Sequence, residues 1–185
     1  MGGKQQEVLI GGREQRRIEI VEYDPSWPAR FGEHALSIRK ALGPAALRIE
    51  HIGSTSVPGL GAKPVIDILV VVADPSDESS YLPAMESAGY QLRVREPEFH
   101  EHRMFRTPSK DVHVHFYSPT SDEVSRYLTF RERLRSHPDA RRLYEDVKRG
   151  LATQDWADMN EYAGAKSAIV EQILAEAHQA GETAR

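Results

Sequence analysis

The sequence predicts an α/β (α+β) fold: about five strands flanked by helices, followed by a C-terminal helical part. Three observations carry this reading. Val65, Ile66, Ile68, Leu69, Val70, Val71 and Val72 form a nearly continuous apolar run, the pattern of a strand covered on both faces. Four shorter strand-like segments surround one short helical segment. Beyond residue 120, apolar residues recur at helical spacing.

The elements follow in order. Met1 to Arg17 is polar and glycine-rich and reads as a flexible tail, with residues 18–180 forming one domain. A first helix is expected from Ser26, a capping residue, with Pro28 tolerated in its first turn and Gly43-Pro44 ending it. Its apolar stripe is Trp27, Phe31, Ala35, Ile38 and Leu42. Leu47 to Ile52 reads as a short strand and Pro64 to Val72 as the buried one. A helix over Ser79 to Ala88 stops at Gly89. Three strands follow, Tyr90 to Arg95, Glu101 to Thr107 and Asp111 to Tyr117. The last two are joined at Pro108-Ser109-Lys110, a hairpin-type turn. Tyr127, Phe130 and Leu134 mark one helix. Ala140, Leu143, Tyr144, Val147 and Leu151 mark a second, after a stop at His137-Pro138. Tyr162, Ile169, Ile173 and Leu174 mark a third, with Asp158 and Glu161 spaced as a capping pair.

Composition narrows the function classes. The chain has 185 residues, enough to bury a core without staples. It has no cysteine, which removes disulfides, thiolate metal sites and cysteine nucleophiles together. The net charge of −4 argues against nucleic acid as the main partner and against a membrane-surface role. The longest apolar run is too short to span a bilayer, and no leader pattern is present, so a cytoplasmic location is expected.

Chemistry concentrates in a few places. Gly53-Ser54-Thr55-Ser56 opens a polar loop whose glycines let a backbone approach a phosphate, with hydroxyls to bond its oxygens and Lys63 to supply charge. The plain alternative is a surface loop. Asp67 lies inside an apolar strand, where a carboxylate needs a metal, a cation or N–H donors beside it. A structural ion pair with Lys63 or Arg48 is the alternative. His113 and His115 alternate with apolar residues and share a strand face. A two-residue turn at Pro108-Ser109 pairs Thr107 with Lys110 and sets His102 opposite His115, and Met104 opposite His113. That groups three histidines at a divalent-metal or phosphate site, or on a half-exposed polar face. Between Arg126 and Arg149 there are eight basic residues against four acidic ones. Most read as a solvated helix face; Arg126, Arg131 and Lys148 are kept as anion ligands, with Lys166 a further candidate.

Together these residues resemble the GrpB family, also called UPF0157, within the nucleotidyltransferase superfamily. The resemblance runs from Ile18 to Ala177. It rests on Glu22-Tyr23-Asp24-Pro25-Ser26-Trp27, on His51 to Leu60, and on Ala62-Lys63-Pro64-Val65-Ile66-Asp67-Ile68. His113-Val114-His115, Phe130 to Arg135, Tyr144 to Lys148, and Tyr162-Ala163-Gly164-Ala165-Lys166 complete it. The resemblance implies a mixed sheet that carries Gly-Ser ahead of a helix, an Asp-x-Asp strand and a third carboxylate. In that superfamily the carboxylates hold two magnesium ions, which bind a nucleotide triphosphate and assist attack on its α-phosphate. Gly53, Ser54 and Asp67 match the pattern. Leu69 stands at the second Asp, and His113 or His115 stands near the third carboxylate. The resemblance therefore implies magnesium or manganese, while the histidines point to zinc or nickel.

The expected function is binding of a nucleotide or other phosphorylated ligand, with metal-assisted nucleotidyl transfer. Asp67 and His115 are its catalytic residues, and Asp67, His102, His113 and His115 its metal ligands. Two alternatives stand beside it: a non-catalytic nucleotide- or phosphate-binding regulatory domain, and a hydrolase-like enzyme with a His/Asp metal centre. Fusion of some family members to dephospho-CoA kinase links the resemblance to coenzyme A metabolism.

Overall fold

A computed structural model describes residues 9–12, 18–156 and 159–182. The expected fold class is the one observed. The elements are α1 (Trp27–Leu42), β1 (Arg48–Ile52), β2 (Ile66–Val71), α2 (Leu82–Ser87), β3 (Gln91–Glu96), β4 (His102–Arg106) and β5 (Val112–Tyr117). Then come α3 (Asp122–Ser136), α4 (Pro138–Ala152), α5 (Met159–Ala165) and α6 (Ser167–Gln179).

The five strands form one mixed sheet in the order β1-β2-β5-β4-β3. β2 and β5 run parallel at its centre, and the other neighbours are antiparallel. The period-2 alternation of side chains then sorts each central strand into two faces. Ile66, Ile68, Val70, Val112, Val114 and Phe116 pack with Trp27, Ile38, Tyr81 and Met85 under α1 and α2. Leu69, Val71 and Tyr117 pack with Ile52 and Leu128 under α3. Asp67, His113 and His115 have the same parity as this second set, so they face the C-terminal helices.

Several sequence expectations need correction. Ser26 makes no side-chain cap to α1; Asp24 shapes the entry instead, its carboxylate accepting from the Ser26 N–H at 2.8 Å. The β4–β5 hairpin is shifted by two residues: Met104 pairs with His115 and Arg106 with His113. Proline explains the shift. Pro108 fixes φ near −65°, which the tight two-residue hairpin turns cannot accept at their first central position. The chain forms a wider turn, closed by Lys110 N–H to the Thr107 carbonyl at 2.9 Å. Asp111 holds it by accepting from the hydroxyls of Thr107 and Ser109 at 2.7 and 2.5 Å. A two-residue slip keeps every side chain on its face, so the histidines still share a surface.

The last predicted helix is two, α5 and α6, with the break at Lys166. Asp158, half of the expected capping pair, lies outside the described residues. Within the segment read as a tail, Leu9 bridges Val94 on β3 and the Ile10 N–H donates to the Arg93 carbonyl at 2.9 Å. No helix among the described residues is long and apolar enough to cross a membrane.

Candidate functional site

A cavity of about 480 Å³ lies between the sheet face bearing Asp67 and helices α3 to α6. Gly53, Ser54, Thr55, Lys63, Asp67, His113, His115, Arg126, Lys148 and Lys166 all line it. These come from positions 53 to 166 of the chain; the fold gathers them because β2 and β5 are neighbours and α3 to α6 close over them.

Asp67 sits at its centre. His113 Nδ1 is 3.4 Å and His115 Nε2 is 3.8 Å from Asp67 Oδ1. Ligand atoms of the three residues all lie within 4.8 Å of one another. Burial alone raises the Asp67 pKa, but the two imidazoles outweigh it and hold the carboxyl well below its usual range. Of the ion pairs expected for Asp67, Arg48 is committed elsewhere, to Glu50 at 2.9 Å. One carboxylate and two imidazoles on one side of a cavity form a donor set that leaves coordination positions open to a ligand. Imidazole suits zinc, nickel, iron or manganese better than magnesium, which prefers oxygen. Expected as a fourth ligand, His102 stands one step behind: its ring nitrogens face Glu96 and His115.

Gly53 makes the close approach to Asp67 feasible. Its φ of 69° and ψ of −175° suit glycine alone. A Cβ there would run into Asp67 Oδ2 and lie 3.0 Å from the Asp67 Cβ. Beyond it, Ser54–Ser56 form a single 3₁₀ turn. Ser54 Oγ accepts from Lys148 Nζ at 3.0 Å. Thr55 and Ser56, expected as phosphate donors, spend their hydroxyl protons inside the loop. Thr55 donates to the Val65 carbonyl at 3.1 Å and Ser56 to the Gly53 carbonyl at 2.6 Å. What each retains is an acceptor lone pair, which a phosphate oxygen repels. His51 backs Thr55 at 3.0 Å, stacked on Phe31, and burial lowers its pKa to about 4.

Lys148 is 2% exposed. It reaches the cavity from α4, also donating to the Gly61 carbonyl at 2.5 Å and lying 4.8 Å from the Tyr144 ring centre. Burial, then repulsion from Lys166, pushes its pKa down to about 7. Lys166 sits 4.7 Å over the Tyr162 ring. Arg126 lines the rim, bound to Glu171 and 3.5 Å from Glu123. Arg131, expected as an anion ligand, is turned away: it donates to Glu50 and to the His51 carbonyl, both at 2.8 Å, so it braces the loop from behind. Arg135 does the same at the Ser56 carbonyl.

Sequence reasoning missed Met104, Glu123, Tyr127, Tyr144 and Tyr162, which also line the cavity. Burial raises the pKa of Glu123, and lifts those of Tyr127 and Tyr144 to about 12. By spacing the tyrosines read as helix-stripe residues, and nothing in that spacing separates an apolar stripe from a cavity wall.

A family model described as GrpB protein matches residues 17–176. The chain belongs to the GrpB family. A UPF0157 protein of Streptomyces coelicolor is 50% identical over 177 residues, covering 96% of this chain and 91% of that one. The crystal structure of conserved protein GrpB from Enterococcus faecalis superposes with a TM-score of 0.74 at 33% identity, covering 85% of this chain and 98% of that chain. A more distant likeness is to the GLD-2/RNP-8 complex, with a TM-score of 0.51 at 15% identity over 81% of this chain and 58% of that one. It places this GrpB chain among nucleotidyltransferase-like folds. A Mycolicibacterium paratuberculosis protein named dephospho-CoA kinase is 26% identical over 175 residues, 80% of this chain and 43% of that protein.

Proposed function

We propose that this GrpB protein is a member of the nucleotidyltransferase superfamily that binds a nucleotide, or another phosphorylated ligand, together with one divalent metal. The observation that carries the reading is the convergence of Asp67, His113 and His115 beside the Gly53-Ser54 turn and the buried Lys148. The three side chains would hold the metal, which when bound supplies Lewis acidity and charge neutralisation. Lys148, Lys63, Lys166 and Arg126 would offset phosphate charge, and Ser54 would orient a phosphate oxygen. Tyr127, Tyr144 and Tyr162 would exclude water around the nucleotide. The dephospho-CoA kinase relative directs the proposal towards adenine nucleotides and coenzyme A metabolism. The comparisons lend no support to a hydrolase.

A second reading, ligand binding without transfer, is favoured by Leu69. This side chain is fully buried where two-magnesium chemistry would need a carboxylate.

Thermal-shift assays separate the readings, because a ligand bound only to the native state raises the melting temperature. ATP with Mn²⁺ or Zn²⁺ is expected to stabilise the protein more than either alone, and Asp67→Ala to abolish the metal-dependent part. Stabilisation by ATP without metal, unchanged in Asp67→Ala, supports the second reading; no stabilisation at all contradicts both. The pH dependence has a definite sign. The Lys148 ammonium is charged below about 7 and neutral above. ATP stabilisation is therefore expected to fall as pH rises through 7, and this fall to be missing in Lys148→Met.

A further inference from the structure

One face of α4 grips a single residue of the loop before Lys63 from both sides. Glu145 Oε2 accepts from the Gly61 N–H at 3.0 Å, and the Gly61 carbonyl accepts from Lys148 Nζ at 2.5 Å. Each bond has only one possible polarity. A backbone N–H donates and a carbonyl accepts, so neither bond depends on the charge state of Lys148. The next residue is held as completely: Ala62 exchanges both of its backbone bonds with Val21, each at 2.9 Å. Every backbone N–H and C=O of Gly61 and Ala62 therefore has a partner.

Arg149 completes the grip. Its Nε donates to Glu145 Oε1 at 2.8 Å, and it also reaches the Ile20 carbonyl at 3.3 Å and Glu22 at 2.6 Å. Glu145 precedes Lys148 by three residues and Arg149 by four, so all three share one helix face. Glycine is needed at position 61. A Cβ there would lie 2.5 Å from Glu145 Oε1 and 2.6 Å from Arg149 Nη2. The Gly61 backbone is not left-handed, so an alanine would displace these two side-chain ends rather than strain the chain. The consequence falls on Lys148, which is buried and needs partners at its tip. Held at Gly61 and at Ser54 Oγ, Nζ can swing away only by breaking both bonds. Fixing a side chain before a ligand arrives lowers the ordering cost of binding.

We propose that Glu145 and Arg149 are positioning residues: through Gly61 they hold Lys148 Nζ at the phosphate cradle, so that a triphosphate meets a lysine already oriented. This rests on the proposed contact of Lys148 with phosphate.

Two measurements test it. Calorimetric titration with ATP and Mn²⁺ is expected to show roughly tenfold weaker binding in Glu145→Ala, the scale of losing one hydrogen bond to a charged group. Gly61→Ala, which leaves every charge in place, is expected to do the same. Glu145→Gln keeps an oxygen for the Gly61 N–H and is expected to restore most of the affinity. In a Lys148→Met background the Glu145→Ala loss is expected to vanish, because both changes act on one contact. A residue that merely supports the fold would add its own loss. ATP binding unchanged in Glu145→Ala overturns the inference, as do losses that add in the double variant. The second measurement needs no ligand: acylation by N-hydroxysuccinimidyl acetate, read by peptide mass spectrometry. Relative to exposed Lys40, Lys148 is expected to react slowly in wild type and several-fold faster in Glu145→Ala and Gly61→Ala. If ATP does not bind the wild type, the phosphate reading fails and the labelling alone decides: Lys148 equally protected in wild type and both variants overturns the positioning.

Discussion

Leu69→Asp, which writes back the second carboxylate of an Asp-x-Asp strand, is expected to destabilise the protein by about 4 kcal/mol and not to create a second metal site. Leu69 is fully buried and packs among Ile52, Val71, Tyr117 and Leu128. Removing it forfeits the transfer energy and packing of a large aliphatic side chain, roughly 2–5 kcal/mol for truncation alone. The new carboxylate would have to shed its hydration with apolar neighbours on that face. Its strand partners across the sheet are Glu50 and His115, and Glu50 is already held by Arg48 and Arg131. Urea denaturation should show a lower midpoint at unchanged slope. A midpoint near wild type would mean that this face tolerates a second carboxylate, and the case against a second metal would fall.

Gly53→Ala is the second large effect. The residue's backbone lies in a region that only glycine occupies without strain, and such outliers cost on the order of 1–3 kcal/mol. The added methyl would also overlap Asp67 Oδ2, so either the loop or the carboxylate must move. The expected result is a loss of about 2–4 kcal/mol of stability together with loss of metal binding. Gly59→Ala is the matched control. Gly59 also has a positive φ, 77°, but nothing lies within 4 Å of the Cβ it would gain. It should show the strain without the loss of metal. Equal effects at the two glycines would show that Asp67 is not positioned through Gly53.

Much of this site is legible in the sequence because it rests on local patterns. Asp67 stands out as the one charge in an apolar strand, and the alternation His113-Val114-His115 puts both rings on one face whichever register the hairpin takes. The Gly53-Ser54 step is equally local. What was not legible depends on contacts between elements. Arg131 and Lys148 look alike in the sequence, yet the fold sends one to the back of the loop and the other into the cavity. Tyr127, Tyr144 and Tyr162 read as core stripes until α3, α4 and α5 are placed over the sheet. The register of β4 against β5 turned on Pro108, whose fixed φ was a sufficient reason to reject a two-residue turn. The break at Lys166 has no proline, and Gly164 two residues before it shows no left-handed φ, so only the packing of α5 and α6 reveals it.

On the proposed reading, Asp67, His113 and His115 jointly hold a metal beside a phosphate cradle. Anomalous diffraction from crystals grown with Mn²⁺ and a non-hydrolysable ATP analogue tests it most directly. The expected result is one strong anomalous peak about 2–2.3 Å from Asp67 Oδ and from ring nitrogens of both histidines, with the triphosphate against Ser54 and Lys148. A peak bound by other residues, or a triphosphate ordered outside this cavity, would contradict it.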